Sequence, residues 1–330
     1  MKEILNKLTH HQILTKGEAK ESLIQISKGN YNPTQIASFL TTYMMRSIRI
    51  EELEGFRDAL LELCIPIDLS AYQPIDLCGT GGDHKNTFNI STLASFITAG
   101  AGIAVAKHGN YSISSISGSS NVLESLGVKF SSEEKFLQHC IEETNLCVLH
   151  APLFHPAMKA VASVRKDLAV KTFFNMLGPM VNPAFPKKQV VGVFSLELAR
   201  MYHYLYQKTP KSYTIVHALD AYDEVSLTGD TKIFTASKEN VLTPQDFGYS
   251  KINPQEIYGG NSVEKATKLF YTILSGKGTE SQNAVVIANS ALAIATAKNI
   301  NLPEALAAAK ESLLSNKALE VLKKVQKISA

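Results

Sequence analysis

Three glycines and an aspartate stand together in Gly79-Thr80-Gly81-Gly82-Asp83, directly after a short apolar run that is typical of a buried strand. Glycine has no Cβ and tolerates positive φ, so the backbone N–H groups of such a loop can approach an anion closely. A helix predicted to begin near Ser91 adds the positive end of its dipole. The spacing matches neither the Walker A loop nor the dinucleotide-binding fingerprint. These residues alone predict either an anion cradle or a tight structural turn.

A second polar group, Lys107-His108-Gly109-Asn110, follows the next predicted strand, and Ser117-Gly118-Ser119-Ser120 comes shortly afterwards. The lysine can contact a phosphate as a point charge, and the serines and Asn110 add hydroxyl and amide groups. The alternative is a solvated polar loop. Its position after a strand of the same strand–helix–strand unit favours ligand binding.

Adjacent carboxylates occur at Asp223 and Glu224, after another predicted strand. Oxygen ligands of this kind suit Mg²⁺, which commonly binds one or two carboxylates together with substrate phosphates. An isolated Asp-Glu pair is more often a solvated surface feature. Arg165 can hold a substrate carboxylate in a bidentate manner or pair with a surface acid. His155 precedes a proline and is either a binding residue or an ordinary loop residue.

The elements that position these residues change in character near residue 70. Residues 1–70 read as helices, with a Thr15–Glu18 capping box and Asn32 before Pro33 at a helix start. From Pro74 strands alternate with helices, and the predicted strands cover 74–78, 103–106, 146–150, 190–194, 213–219 and 285–288. Such alternation predicts a parallel sheet whose ligands lie beyond the carboxyl ends of the strands.

We therefore expect an α/β fold in which a small N-terminal all-helical domain accompanies a larger α/β domain with a mostly parallel central sheet. The predicted helical domain covers residues 1–70 and is joined by parts of 152–186, whereas the larger, ligand-binding domain covers 71–330. The apolar faces of the helical part exceed what its short helices need internally, which suggests an interface.

Composition excludes several classes of protein. The 330 residues include 45% hydrophobic and 19% charged side chains, with a net charge of +3 and no long basic run, which disfavours nucleic-acid binding. The four cysteines show neither a Cys-x-x-Cys pair nor zinc spacing, so we expect reduced thiols. No signal peptide and no apolar stretch of membrane-spanning length is recognisable. These features predict a soluble, cytoplasmic protein that binds no membrane.

Read together, the motifs resemble the anthranilate phosphoribosyltransferases of tryptophan biosynthesis. The segments that carry the resemblance keep their order and spacing along nearly the whole chain. They are DLCGTGGD (76–83), NTFNIST (86–92), KHGN (107–110), SGSSNVLESLG (117–127), HPAMKAVASVR (155–165), FFNMLGPMVNP (173–183) and HALDAYDEVSLTG (217–229).

The resemblance implies a reaction and a set of site residues. The reaction moves the phosphoribosyl group of 5-phosphoribosyl 1-pyrophosphate to the amine of anthranilate, with Mg²⁺ as cofactor, in a homodimer formed through the helical domains. The implied phosphoribosyl pyrophosphate ligands are Gly79, Gly82, Asp83, Thr87, Asn89, Ile90, Ser91, Thr92, Lys107, His108, Gly109, Asn110, Tyr111, Ser112, Ile113, Ser114, Ser115 and Ser119. The implied metal ligands are Ser91, Asp223 and Glu224, and the implied anthranilate site consists of Gly79, Asn110, His155, Arg165 and Pro179. No side chain is assigned as a catalytic acid or base.

Some positions depart from the family pattern. His84, Ala218 and Ala221 stand where glycine is frequent, Tyr111 and Lys171 where arginine is common and Asn121 where aspartate is usual. Two other functions remain open at this point. A pyrimidine nucleoside phosphorylase shares the architecture and a related glycine loop, although such chains usually carry a further C-terminal domain. A nucleic-acid-binding relative without transferase activity would need a more basic surface.

Overall fold

The structure, a computed structural model, describes residues 1–111 and 117–330. The chain divides into two compact units, which we call the helical unit (1–67 and 151–185) and the sheet unit (68–150 and 186–330). Across the described residues, no single helix has both the length and the apolar character needed to cross a membrane. The pair Glu280–Lys298 and Leu302–Leu314 meets the same criteria only jointly, with a bend of 119° between its members.

All regular elements of the helical unit are helices, and its residues are described throughout. Numbered in chain order, they are α1 (Lys2–Thr9), α2 (Lys16–Ser27), α3 (Pro33–Met45), α4 (Ile50–Leu63), α8 (Ala151–Phe154), α9 (Pro156–Ala160) and α10 (Ala162–Leu168), with 3-10 turns at Phe173–Met176 and Gly178–Met180. The predicted caps are confirmed: Thr15 accepts from the N–H of Glu18 in a capping box, and Asn32 caps α3 with Pro33 in its first turn.

An aromatic cluster holds the helical unit together. The ring of Phe56 on α4 stacks on Phe173 at 4.3 Å between centroids, and Phe39 and Tyr43 on α3 pack edge-on against both rings. Edge-to-face and stacked pairs of this kind each add about 0.5–1.5 kcal/mol beyond the area they bury. The cluster ties the segment around Phe173 to helices that precede it by more than a hundred residues in the chain.

A seven-stranded sheet forms the centre of the sheet unit, in the order β3-β2-β1-β4-β5-β6-β7. The strands are β1 (Ile75–Leu77), β2 (Val105–Gly109), β3 (Leu146–His150), β4 (Lys188–Gly192), β5 (Ser212–Ala218), β6 (Thr231–Thr235) and β7 (Glu239–Leu242). The first five strands in this order pair in parallel, whereas β6 and β7 add antiparallel pairs at one edge. The predicted fold class is confirmed, and the antiparallel edge is an addition to it.

Helices cover the sheet: α5 (Ile90–Gly100), α6 (Ser119–Ser125), α7 (Glu134–Thr144), α11 (Leu196–Tyr206), α12 (Val263–Leu274), α13 (Glu280–Lys298), α14 (Leu302–Leu314) and α15 (Lys317–Ser329). The predicted strand at 285–288 is wrong, because these residues lie inside α13. Residues 284–294 of that helix are nearly all buried, so its sequence lacks the polar face that marks a helix. Helix α5 also begins one residue before Ser91, with Asn89 at the N-cap position.

The strand order reverses direction between β1 and β4, which are neighbours in the sheet but lie far apart in the chain. Connections from these two strands leave toward opposite flanks, so a crevice opens beyond their carboxyl ends. The glycine loop follows β1, and Gly192 is the last residue of β4. The fold therefore places the predicted anion loop at the position where open α/β sheets bind ligands.

Ala221, in the turn after β5, has φ 74°, a left-handed conformation that costs an alanine about 1–3 kcal/mol. We expect Ala221→Gly to raise the free energy of unfolding by about 1 kcal/mol, because the relief of this strain exceeds the added entropy of the unfolded chain. Urea unfolding measures it. Ala218→Gly is the matched control within the extended β5 and should lower stability. Destabilisation by Ala221→Gly would contradict the strain argument.

Candidate active site

The glycine loop is held against Asp223 by direct hydrogen bonds. The N–H of Gly81 donates to Oδ2 of Asp223 at 2.7 Å, and the N–H of Thr80 donates to the carbonyl of Gly192 at 2.9 Å. Gly81 and Gly82 have φ of 62° and 77°, which explains the choice of glycine at both positions. Residue types alone predict either a tight turn or an anion cradle here, and the contact with Asp223 joins the loop to the predicted metal residues.

Close backbone approach, rather than positive φ, explains the glycines at positions 79 and 192. A Cβ on Gly79 would lie 2.8 Å from Oδ2 of Asp223, and one on Gly192 would lie 1.6 Å from the Asp223 carbonyl oxygen. Sequence reasoning missed Gly192. Its position inside the predicted strand 190–194 gave no indication of this contact, because its partner Asp223 is distant in the chain.

Asp223 and Glu224 lie close together in a region of low water access. Asp223 is 7% exposed, and burial together with the Asp83 carboxylate raises the pKa of Asp223 to about 7. Desolvation and the neighbouring Asp223 raise the pKa of Glu224 well above its usual range, although Lys107 opposes this. The N–H of Ser91, in the first turn of α5, donates to Oε1 of Glu224 at 3.2 Å. Burial and the neighbouring negative charges therefore both disfavour the ionised forms of Asp223 and Glu224.

Asn289 on α13 fixes the chain directly after these carboxylates. Its Oδ1 accepts from the N–H of Val225 at 3.0 Å, and its Nδ2 donates to the carbonyl of Val225 at 2.8 Å. Asn289 is 5% exposed and also lines one cavity together with Gly79, Ser91, Gly192 and Glu224. Asn289 could not be recognised from the sequence, since a single asparagine in an apolar run forms no pattern.

These residues suit a divalent cation that is shared with a ligand. Among the described residues, no three histidine, cysteine, aspartate or glutamate side chains form a metal-binding group by themselves. Mg²⁺ usually takes one or two carboxylates and completes its shell with water and phosphate oxygens. Two carboxylates with raised pKa values, next to a loop of backbone donors, fit that pattern. The residues that would hold the ion are Asp223 and Glu224, with Ser91 beside them.

Lys107, His108 and Gly109 lie within β2, not in a loop after it as predicted. Lys107 is 2% exposed, and its Nζ donates to the carbonyl of Leu77 at 2.7 Å. The N–H of His108 donates to Oδ1 of the buried Asp76 at 3.2 Å. Oδ1 of Asp76 thus accepts the hydrogen bond of the His108 N–H at a point where the β1–β2 backbone pairing has ended.

The segment after β2 returns to the start of α6. The carbonyl of Asn110 accepts from the N–H of Ser120 at 3.2 Å and from the hydroxyl of Ser119 at 3.3 Å. Tyr111 packs edge-on against the ring of His150 at 4.7 Å, and Ser120 bonds the same ring at 2.9 Å. Of the predicted ligands that follow, Ser112, Ile113, Ser114 and Ser115 lie outside the described residues.

The remaining predicted phosphoribosyl pyrophosphate ligands lie between the glycine loop and α5. Asp83 Oδ1 accepts from the N–H of Lys85 at 2.9 Å, and its Oδ2 accepts from the N–H of Asp223 at 3.4 Å. Thr87 forms an isolated bridge with Tyr258. Asn89 donates to the carbonyl of Ser117 at 3.3 Å, whereas Ile90 and Thr92 are buried in the first turn of α5. Their contacts position the loop, and their contact with a ligand stays a prediction.

Arg165, His155 and Pro179 belong to the helical unit. Burial lowers the pKa of Arg165 to about 10, so its guanidinium is charged at pH 7. It donates to Oδ1 of Asn175 at 3.4 Å and lies 5.1 Å from the ring centre of Phe174, and it forms no ion pair with any described carboxylate. Burial also lowers the pKa of His155 to about 4, so this ring is neutral. Pro179 is buried in a 3-10 turn. Arg165 therefore carries a charge that a carboxylate ligand would match.

Substitution of Gly192 tests the close contact with Asp223. We expect Gly192→Ala to lower the free energy of unfolding by about 1–3 kcal/mol, because the new methyl group must displace the backbone of Asp223. Urea unfolding measures the loss. Gly17→Ala is the control, since no atom lies within 4 Å of its added Cβ and alanine favours the surrounding helix. Equal stability of Gly192→Ala and the wild type would rule out the constraint.

Two family models match the chain. The helical bundle domain of a glycosyl transferase family matches residues 2–64, and the a/b domain of the same family matches residues 71–319. The anthranilate phosphoribosyltransferase of Flavobacterium psychrophilum is 66% identical over 329 residues, with 100% of both chains covered. That of Christiangramia forsetii is 64% identical, covering 100% of this chain and 99% of the relative.

Solved structures agree with these relatives. The crystal structure of anthranilate phosphoribosyltransferase from Thermus thermophilus has a TM-score of 0.91 and 32% identity, with 99% of each chain covered. The enzyme from Saccharomyces cerevisiae in complex with PRPP and Mg also has a TM-score of 0.91, at 27% identity, covering 99% of this chain and 97% of that one. With its glycine loop and adjacent carboxylates meeting at the switch point of the sheet, the chain belongs to the anthranilate phosphoribosyltransferase family.

Proposed function

We propose that this protein transfers the phosphoribosyl group of 5-phosphoribosyl 1-pyrophosphate to the amine of anthranilate, in tryptophan biosynthesis. The products are N-(5-phosphoribosyl)anthranilate and pyrophosphate. The observation that carries the proposal is the hydrogen bond between Gly81 and Asp223, which joins the glycine loop to the adjacent acids Asp223 and Glu224. Two relatives named anthranilate phosphoribosyltransferase match the chain over its whole length.

The chemistry requires little proton transfer. The amine of anthranilate is an aryl amine, neutral at pH 7, and its lone pair attacks C1 of the ribose while the C1–O bond to pyrophosphate breaks. Once the C–N bond has formed, the nitrogen loses one proton to water or to the departing pyrophosphate. The bonding electrons leave with pyrophosphate, and positive charge develops on the ribose. The task is therefore electrostatic stabilisation of a leaving group and alignment of two substrates, consistent with a site that lacks an assigned acid or base.

The backbone N–H groups of the glycine loop and of the first turn of α5 would bind the phosphate oxygens. We propose Mg²⁺ as the cofactor, held by Asp223 and Glu224 with Ser91 beside them, and it would supply positive charge to the departing pyrophosphate. The raised pKa values of the two acids support this assignment, because a cation would offset their repulsion. The yeast relative was solved with PRPP and Mg.

Arg165 would take the carboxylate of anthranilate, and Gly79, Asn110, His155 and Pro179 complete the set proposed for this substrate. The charged Arg165 without an acid partner among the described residues supports its role. The neutral, buried ring of His155 suits an apolar wall better than a proton carrier.

We further propose a cytoplasmic homodimer that associates through the helical domain, predicted as residues 1–70 with parts of 152–186. Exposed apolar side chains in the helical unit support this, among them Met45 at 81%, Ile13 at 51% and Phe185 at 51%. Four free cysteines agree with a reducing compartment. Sedimentation equilibrium of the wild-type protein measures the assembly state directly.

Loss of anthranilate fluorescence on adding phosphoribosyl pyrophosphate, Mg²⁺ and protein tests the activity. The two alternative functions have their own measurements. Phosphorolysis of thymidine or uridine would indicate a pyrimidine nucleoside phosphorylase, and salt-dependent DNA binding without anthranilate turnover would indicate a nucleic-acid-binding relative. Absence of anthranilate turnover by the wild-type protein would overturn the proposed function.

The double variant Asp223→Asn, Glu224→Gln tests the metal site. We expect a large loss of turnover at limiting Mg²⁺, because the neutral amides bind the cation weakly. Asp230→Asn removes an exposed acid of the sheet unit and should leave the Mg²⁺ dependence unchanged. Wild-type activity of the double variant at limiting Mg²⁺ would contradict the assignment of Asp223 and Glu224 as metal ligands.

Substitution of Arg165 tests the anthranilate carboxylate site. We expect Arg165→Ala to raise KM for anthranilate by about 10–100-fold, the value of one charge-assisted contact, with far less effect on KM for phosphoribosyl pyrophosphate. Steady-state kinetics with each substrate varied in turn measure the split. Arg200→Ala, at an exposed position of α11, is the control. Equal changes in both KM values would count against the carboxylate role.

A further inference from the structure

Lys85 follows the glycine loop, and its backbone is fixed on both sides. Its N–H donates to Oδ1 of Asp83 at 2.9 Å, and the next residue, Asn86, exchanges two hydrogen bonds with the segment at Gly259 and Gly260. These two bonds, from Nδ2 of Asn86 and to its carbonyl, measure 2.8 and 2.7 Å. The Cα of Lys85 therefore stays beside the loop, and only its side chain is left to move.

The ammonium group of Lys85 lies over the ring of Tyr222, 4.7 Å from the ring centre. Tyr222 directly precedes Asp223 in the chain and is only 5% exposed. Among the described residues Lys85 forms no ion pair, although its N–H donates to Asp83, which also accepts from the N–H of Asp223. A cation–π contact stabilises an ammonium less than a charged hydrogen-bond partner does.

The second lysine near the site is already engaged. Lys107 is buried, and its Nζ donates to the carbonyl of Leu77 at 2.7 Å. Lys85, by contrast, is partly exposed and keeps its ammonium donors available to a ligand. The ligand of the proposed reaction brings several negative charges to this loop, and the departing pyrophosphate gains more as the C1–O bond breaks.

We propose that Lys85 is a further binding residue for the diphosphate of the ribose donor and for the pyrophosphate product. In the ligand-bound enzyme its ammonium donates to a diphosphate oxygen, keeping its proton, and the ring of Tyr222 holds it nearby when the site is empty of ligand. This inference rests on the proposed function. The Lys85 ammonium would be a positive charge carried by the protein itself, separate from the Mg²⁺ proposed at Asp223 and Glu224.

The variants Lys85→Met and Lys85→Arg test the contact. We expect Lys85→Met to raise both KM for phosphoribosyl pyrophosphate and the inhibition constant of pyrophosphate by about tenfold or more, with KM for anthranilate nearly unchanged. Lys85→Arg keeps the charge and should restore most of the loss. Calorimetric titration of magnesium pyrophosphate into each protein gives the same comparison without turnover.

Lys310→Met is the matched control, because this exposed lysine of α14 loses the same charge outside the site residues. Unchanged pyrophosphate binding in Lys85→Met would overturn the proposal, and a lower melting temperature with wild-type KM values would assign Lys85 a structural role only. The proposed function fails separately, if the wild-type enzyme shows no anthranilate turnover.

Discussion

The carboxylate of Asp223 accepts a hydrogen bond from the Gly81 N–H at 2.7 Å, and its backbone passes Gly192 so closely that a Cβ there would meet the carbonyl oxygen at 1.6 Å. Three segments from separate parts of the chain meet at this point: the loop after β1, the end of β4 and the turn after β5. The loop after β1 donates hydrogen bonds to both of the other segments, from Gly81 to Asp223 and from Thr80 to Gly192, so displacement of any one segment would break at least one of these bonds or the close contact at Gly192. The distances between anion loop, acids and α5 all depend on this contact.

The same contact has an electrostatic cost. Asp83, Asp223 and Glu224 lie near one another, and burial with mutual repulsion raises the pKa values of the last two. Buried like charges destabilise a fold unless a counter-charge is present. The Ser91 N–H and Lys107 offset part of the repulsion. A cation bound here would lower the pKa values of both acids, because its positive charge favours their ionised forms.

Short-range sequence patterns predicted those features of the fold that depend on residues close together in the chain. Positive φ at Gly81 and Gly82, the capping box at Thr15 and the strands of the parallel sheet all follow from residue type and short-range spacing. Gly192 and Asn289 escaped prediction because their importance lies in contacts with Asp223 and Val225, which are distant in sequence. The strand predicted at 285–288 failed for a related reason. A helix buried on all sides has no polar face, and its apolar run resembles a strand.

Backbone strain is concentrated at the edges of the same contact. His84 has φ 58° and Ala221 has φ 74°, both in the left-handed region that favours glycine. Each left-handed residue costs about 1–3 kcal/mol, and both are close to the bond from the Asp223 N–H to Asp83. The hydrogen bond from the Ala218 N–H to the Tyr222 carbonyl, at 3.0 Å, closes the strained turn. The glycine loop and the turn after β5 are thus held in place by hydrogen bonds, although the backbone conformations of His84 and Ala221 are unfavourable. The position of the acids is therefore held by the hydrogen bond from Gly81 to Asp223, by the close approach of Gly192 and by the bonds of Asn289 to Val225.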